Sequence, residues 1–242
     1  MSSPYIPTQE PAVGRRRPDR PGWPEIGVAA VAFVLLFGLT AVLLPLIPDD
    51  AAAASGLAAF ALSAVVGLGP FAAAVLLRIR RVAPFGVRKV SGKWLLIGAA
   101  VGLGCFVLSI GASLAYRLLT GDTQNVQSGY QAAAGSGVPM LLATLVLGAV
   151  ATPIGEEFLW RGVVAGALSR YGGWVAVLAS AAAFALAHGI NAVLPVAFII
   201  GAANALLLRR TGSVWPGVVT HGVNNALSSL VPLLIGLAGH AS

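Results

Sequence analysis

Long apolar runs free of charge alternate with short polar or basic stretches along the chain. The first covers residues 26–47 and ends at Pro48-Asp49-Asp50; others occupy about 55–77, 94–116, 138–170, 174–190, 192–208 and 214–236. Each is too long for a strand and close to or above the roughly 20 residues a helix needs to cross a bilayer. Two longer polar stretches, 78–93 and 117–137, and several Gly- or Pro-containing turns separate them. Proline and glycine inside the runs are tolerated, because neighbouring groups in a helix bundle satisfy the freed backbone. The pattern predicts an all-α, polytopic transmembrane helix bundle of about seven spans, or eight if Pro153 splits the 138–170 segment. No internal repeat of the kind that builds inverted transporters is visible.

Composition sharpens this picture. Of 242 residues, 57% are hydrophobic and only 10% charged, against about 25% charged in an ordinary soluble domain, which argues against a water-soluble enzyme. The same hydrophobicity rules out a disordered chain. The net charge of +7 would suggest nucleic acid in a soluble protein, but here the basic residues mark topology, and no nucleic-acid partner is expected. With the N-terminal arm in the cytoplasm, Arg78, Arg80, Arg81, Arg88, Lys89, Lys93, Arg170, Arg209 and Arg210 fall on the same side, and Asp49, Asp50, Arg117 and Asp122 fall opposite. That asymmetry is what the positive-inside rule requires. Residues 1–25, Pro-rich and carrying Arg15, Arg16, Arg17 and Arg20, read as a disordered basic arm. A secretory signal has an apolar core of only about 7–15 residues, so the 26–47 run reads as a retained anchor. The single cysteine, Cys105, excludes an intrachain disulfide or a cysteine-based zinc site. Thirteen arginines against two lysines, with abundant Ala and Gly, point to a GC-rich bacterial source and hence a bacterial plasma membrane.

Six of the eight acids lie in arms or loops, at positions 10, 19, 25, 49, 50 and 122. The other two, Glu156 and Glu157, are adjacent inside an apolar run, where a carboxylate costs about 2.5–3.5 kcal/mol on insertion scales. Arg161 is four residues after Glu157, on the same helix face, and predicts an ion pair. Glu156 points about 100° away from Glu157 and is left free for other work. Two of the three histidines, His188 and His221, also fall within predicted spans, while His240 lies in the 237–242 tail. Phe184 precedes His188, and His221 precedes Asn225, each at i+4 on one helix face. A hairpin turn at Tyr171-Gly172-Gly173 would place Glu156 across from His188, each about 21 Å from the turn. A second turn, at Thr211-Gly212-Ser213, would bring Asn225 nearly to the height of His188 and leave His221 about one and a half helical turns lower, a difference that helix tilt can partly close. One polar cluster near the middle of the bilayer is the expectation. Trp160, Trp174 and Trp215 lie near predicted helix ends or turns, as interfacial anchors do.

Glu156-Glu157-Phe-Leu-Trp-Arg161, Phe184-Ala-Leu-Ala-His188 and His221-Gly-Val-Asn-Asn225 match, in order, the EExxxR, FxxxH and HxxxN signature of the CPBP intramembrane proteases. The chain resembles that family, which includes type II CAAX prenyl endopeptidases and bacteriocin-processing proteins. The likeness covers 138–236 as a four-helix catalytic core, with 26–137 as further N-terminal transmembrane helices. It implies hydrolysis of peptide bonds in membrane-associated proteins or peptides, with the lipid bilayer as the other partner. Glu156 would be the base that activates water together with His188, Glu157 the structural partner of Arg161, and Phe184 a site-shaping residue. His221 and Asn225 would complete the catalytic set as oxyanion stabilisers or as metal ligands. The chemistry asks for such types: a carboxylate in low dielectric can accept water's proton, and imidazole and amide groups can stabilise an oxyanion. No cofactor is fixed by these residues. Glu156, His188 and His221 are the donors that Zn2+ would take, with Glu157 then the base, but the HExxH arrangement is absent. Two other readings stay open: a proton-coupled transporter with Glu156, Glu157, His188 and His221 as a relay, and a non-catalytic membrane scaffold.

Overall fold

The structure, a computed structural model, describes residues 20–240; the arginines of the N-terminal arm before Arg20 lie outside it. Eight helices follow one another: α1 (Trp23–Leu43), α2 (Ala52–Ala74, extended by a wide turn over Val75–Ile79), α3 (Gly92–Thr120), α4 (Ser128–Gly135), α5 (Val138–Tyr171), α6 (Gly173–Ala187), α7 (Leu194–Thr211) and α8 (Trp215–His240). Among the described residues the helices of six segments are long and apolar enough to cross a membrane, and the chain is an integral membrane protein built as an all-α bundle. The remaining expected span is α6, whose 15 residues reach about 22 Å, short of the roughly 30 Å hydrocarbon core. By length it is the one apolar helix of the expected set that falls short of a full crossing. The irregular stretch after it is tolerated only where it lines a cavity.

Pro153 does not split α5, which runs unbroken for 34 residues. A π-helical stretch over Leu147–Ala151 precedes the proline and a second, Phe158–Ala165, follows the glutamates. The wider turn before Pro153 accommodates the hydrogen bond that its ring nitrogen cannot make.

Two readings of the polar segments are corrected. Glu25 does not belong to a free arm: it sits in the first turn of α1, fully buried. Its carboxylate accepts hydrogen bonds from the Gly22 N–H at 2.7 Å and from Arg78 Nε at 2.6 Å. The 117–137 stretch is not all loop either, since α4 lies within it and buries Ala133 and Ala134.

Glycines set the helix crossings that build the interior, because without a hydrophobic drive between helices the backbones must approach closely to pack. A Cβ on Gly155 of α5 would stand 2.7 Å from the Ala64 carbonyl oxygen of α2. Thr152 Oγ1 donates to the Phe60 carbonyl at 3.0 Å across the same crossing. On the other side, a Cβ on Gly222 of α8 would lie 2.5 Å from the Ala149 carbonyl oxygen of α5. Helix α3 closes on α8 in the same manner, where Thr220 Oγ1 donates to the Gly98 carbonyl at 2.8 Å. Helix α5 is thus clamped between α2 and α8 at the height of its two glutamates.

The basic turns gather at one end of the bundle. Arg170 Nη2 donates to the Pro21 carbonyl at 3.1 Å, Arg88 Nε donates to the Gly212 carbonyl at 2.6 Å, and the Arg209 guanidinium lies 5.4 Å from the Trp174 ring centroid. Just inside this end, Phe71, Phe85, Phe158, Val163, Val214 and Val218 form a packed apolar core.

Candidate active site

The two adjacent glutamates meet different surroundings. Glu157 is fully buried, with its Oε2 3.0 Å from Arg161 Nε in the ion pair that the i,i+4 spacing predicted. The Arg161 guanidinium lies 4.5 Å from the Phe184 ring centroid. Asn204 of α7 stands beside Glu157 as well. Room for this carboxylate exists because position 217 is glycine: a Cβ there would sit 3.2 Å from Glu157 Oε2. A buried charge must be paired and surrounded by polar groups, and Glu157 is.

Glu156 instead reaches the edge of a cavity of about 780 Å³. Its Oε1 accepts a hydrogen bond from Ser63 Oγ of α2 at 2.8 Å. Its Oε2 lies 3.7 Å from His221 Nε2, longer than a hydrogen bond. The His221 ring stands between the two acids, with Nδ1 3.2 Å from Glu157 Oε1. With Nδ1–H donating to Glu157, the Nε2 lone pair faces Glu156 and the cavity. The buried acid thereby fixes the tautomer of an imidazole that turns its other nitrogen to the cavity.

His188 caps the C-terminal end of α6. Its Nδ1 is 2.9 Å from the Phe184 carbonyl oxygen; a carbonyl only accepts, so Nδ1 carries the proton and Nε2 is left with its lone pair. The ring stands edge-on to Phe184, with centroids 4.6 Å apart. Asn191 holds the turn, donating to the His188 carbonyl at 2.9 Å and accepting from the Val193 N–H at 2.8 Å. Asn225 Nδ2 donates to the Gly148 carbonyl at 2.9 Å, and its Oδ1 accepts from Asn224 Nδ2 at 3.3 Å.

Glu156, Phe184, His188, His221 and Asn225 therefore line one cavity. Glu157 and Arg161 do not; they are sealed behind it. The immediate neighbours of Glu156 are Ser63 and His221, while His188 shares the cavity on the α6 side. Among the described residues no three His, Cys, Asp or Glu side chains stand together as a group able to hold a metal. Glu156, His188 and His221 are thus not gathered into such a ligand set.

Sequence reasoning missed Ser63, Asn204, Asn224 and Tyr130. A single hydroxyl in an apolar run carries no signal, because its insertion cost is small. Asn204 and Asn224 are amides inside spans, and the logic that picked out the acids would have found them too. Tyr130, on α4, lines the cavity with its ring 4.2 Å from that of Phe60. Burial, and then the nearby Glu156 charge, push its phenol upward, so it stays protonated and able to donate. Ser63→Ala is expected to lower kcat about tenfold or more, since a hydrogen bond to a charged group contributes about 1.5–3 kcal/mol; steady-state kinetics on the purified protein checks this.

Residues 138–227 match the family model described as Rce1-like, type II CAAX prenyl endopeptidase Rce1-like. The matched segment contains every residue of the three motifs, whereas Ser63 and Tyr130 lie outside it. No curated protein and no solved structure matches the chain significantly. The part of the chain that carries both glutamates and both cavity histidines, residues 138–227, is thus similar, by this match and by its motif order, to the Rce1-like type II CAAX prenyl endopeptidases.

Proposed function

We propose that the protein is an intramembrane endopeptidase that hydrolyses peptide bonds of membrane-associated proteins or peptides. The observation that carries this reading is the placement of Glu156 at the cavity edge, between the Ser63 hydroxyl and the His221 imidazole. In this reading Glu156 takes a proton from a cavity water as its oxygen attacks the scissile carbonyl. Ser63 orients the carboxylate, the Nε2 lone pair of His221 accepts the water's other hydrogen, and His188 faces the same water from the α6 side of the cavity. Negative charge then developing on the carbonyl oxygen is met by neutral donors, the Tyr130 hydroxyl and the amides of Asn224 and Asn225, which gain strength in a low-dielectric site. Collapse of the tetrahedral adduct returns the proton from Glu156 to the leaving nitrogen. Glu157 and Arg161 take no part in bond making; they hold His221 in place.

A proton relay uses acids that exchange with a pathway, and the closed Glu157–Arg161 pair has no exposure to one. The test is the purified protein in proteoliposomes with a quenched peptide library. Hydrolysis is expected, and His188→Ala is expected to abolish it while the protein still folds, because His188 is only half-buried. Proton-driven solute uptake without any cleavage would support the transporter instead.

A further inference from the structure

Helix α7 supplies none of the residues of the three motifs, yet one polar side chain lies on its buried stripe. Ala197, Ile200, Gly201, Asn204, Ala205 and Leu207 are the buried residues of this helix, at the three- and four-residue spacing of one face. The apolar positions have evident uses. Val196, Ala197 and Ile200 line the cavity. Gly201 lets α6 approach, since a Cβ there would stand 3.0 Å from Ala181 Cα and 3.3 Å from Phe184 Cδ1. Asn204 comes one turn later, is 1% exposed and is not among the residues that line the cavity.

An amide buried without a partner is costly, so its presence asks for a reason. Neither Nδ2 nor Oδ1 of Asn204 has a hydrogen-bond partner of full geometry, and Glu157 Oε2, although ion-paired to Arg161, lacks one too. The two groups stand side by side. Both edge the space left by Gly217, where a Cβ would lie 3.1 Å from Asn204 Cβ, 3.3 Å from its Cγ and 3.2 Å from Glu157 Oε2. An amide nitrogen only donates and an ionised carboxylate only accepts, so Nδ2–H to Oε2 is the pairing that satisfies both. Glu157 divides its two oxygens among neighbours: Oε1 faces His221 Nδ1 at 3.2 Å and Oε2 faces Arg161 Nε at 3.0 Å. Arg161 sits on the same helix as Glu157. A donor from a separate helix, fixed on the Oε2 side, stops the carboxylate from turning and keeps Oε1 aimed at the imidazole.

We infer that Asn204 is a positioning residue: by donating to Glu157 Oε2 it locks the carboxylate that holds His221, and so fixes which ring nitrogen His221 turns to Glu156 and the cavity. The effect on rate rests on the endopeptidase reading, whereas the effect on the imidazole does not. Helix α7 thereby joins the site through a residue that never meets the substrate.

Asn204→Leu tests this, since leucine has the same branching as asparagine and no donor. Asn204→Ala, which cannot overpack, replaces it should the leucine variant fail to fold. Two readouts are taken on the purified, reconstituted protein. In hydrolysis of a quenched peptide, kcat is expected to fall about tenfold, as for a lost hydrogen bond to a charged group, with KM unchanged because Asn204 does not line the cavity. In protein labelled with ¹⁵N-histidine, the His221 signals are those lost in His221→Gln. The native ring is expected to show a protonated Nδ1 and a bare Nε2, and the Asn204 variant a mixture of the two tautomers. The His188 ring is expected to stay as it is, because the Phe184 carbonyl holds its Nδ1. A folded variant whose His221 signals match the native ones overturns the inference, since a residue that merely packs would leave them so. Native kcat in a variant with altered His221 signals overturns the bearing of Asn204 on catalysis. If the native protein cuts no peptide while its His221 signals still change on substitution, the endopeptidase reading falls and the link from Asn204 to His221 stands.

Discussion

Glu156→Gln is expected to lower peptide hydrolysis by about 10²–10⁴-fold, the range that a positioned general base contributes, without loss of thermal stability. The amide has the carboxylate's shape and keeps an oxygen that can accept from Ser63 Oγ, so the cavity wall is preserved. What it lacks is the capacity to take water's proton. Removing the charge also relieves the cost of holding a carboxylate at an apolar cavity edge, where Glu156 is 8% exposed. Paired measurements of kcat and of thermal unfolding in detergent separate the outcomes. A variant that hydrolyses at the native rate removes Glu156 from catalysis, and one that loses folded protein in proportion to activity makes it structural.

The second large effect falls on a residue outside the cavity. Arg161→Met should destabilise the fold by about 3–5 kcal/mol, because one partner of a buried ion pair is left uncompensated. Both side chains are 0% exposed, so no solvent reaches the stranded Glu157. Methionine keeps much of the arginine stem's volume against Phe184, which isolates the charge from the packing. Adding Glu157→Gln to Arg161→Met should recover most of the lost stability, since replacing a whole buried pair by neutral groups is often nearly free. Detergent unfolding of the single and double variants reads this directly. An unchanged melting temperature in the single variant would remove the pair from the account of the fold.

The helices and most of the site were legible because charge in an apolar run is costly and so stands out. Glu156, Glu157, Arg161, His188 and His221 all announced themselves in this way, and the i,i+4 spacing predicted the Glu157–Arg161 pair found at 3.0 Å. Counting residues from the hairpin turns placed the glutamates and His188 at one depth and His221 about one and a half helical turns away. It did not say which faces meet, and the two π-helical stretches around Thr152–Glu157 shift the faces of α5 from those of a regular helix. The imidazole found beside Glu156 is accordingly that of His221, whose ring reaches both acids, while His188 lines the same cavity. Ser63 stayed invisible because a serine in α2 costs little whether or not it bonds anything. The Glu25–Arg78 contact joins residues 53 positions apart, and no local pattern encodes such a meeting of helix ends. Helix α4 was missed because eight residues are too few to register as a span.

The central claim is that polar groups from separate helices activate a water molecule inside the membrane. Mass spectrometry of peptides cut in ¹⁸O-enriched water by the purified, reconstituted protein tests it most directly, with the native chain set beside Glu156→Gln. The account predicts heavy oxygen in the newly formed carboxyl group of the native protein's products and about 10²–10⁴-fold less product from the variant. Labelled product formed equally by both proteins would contradict it.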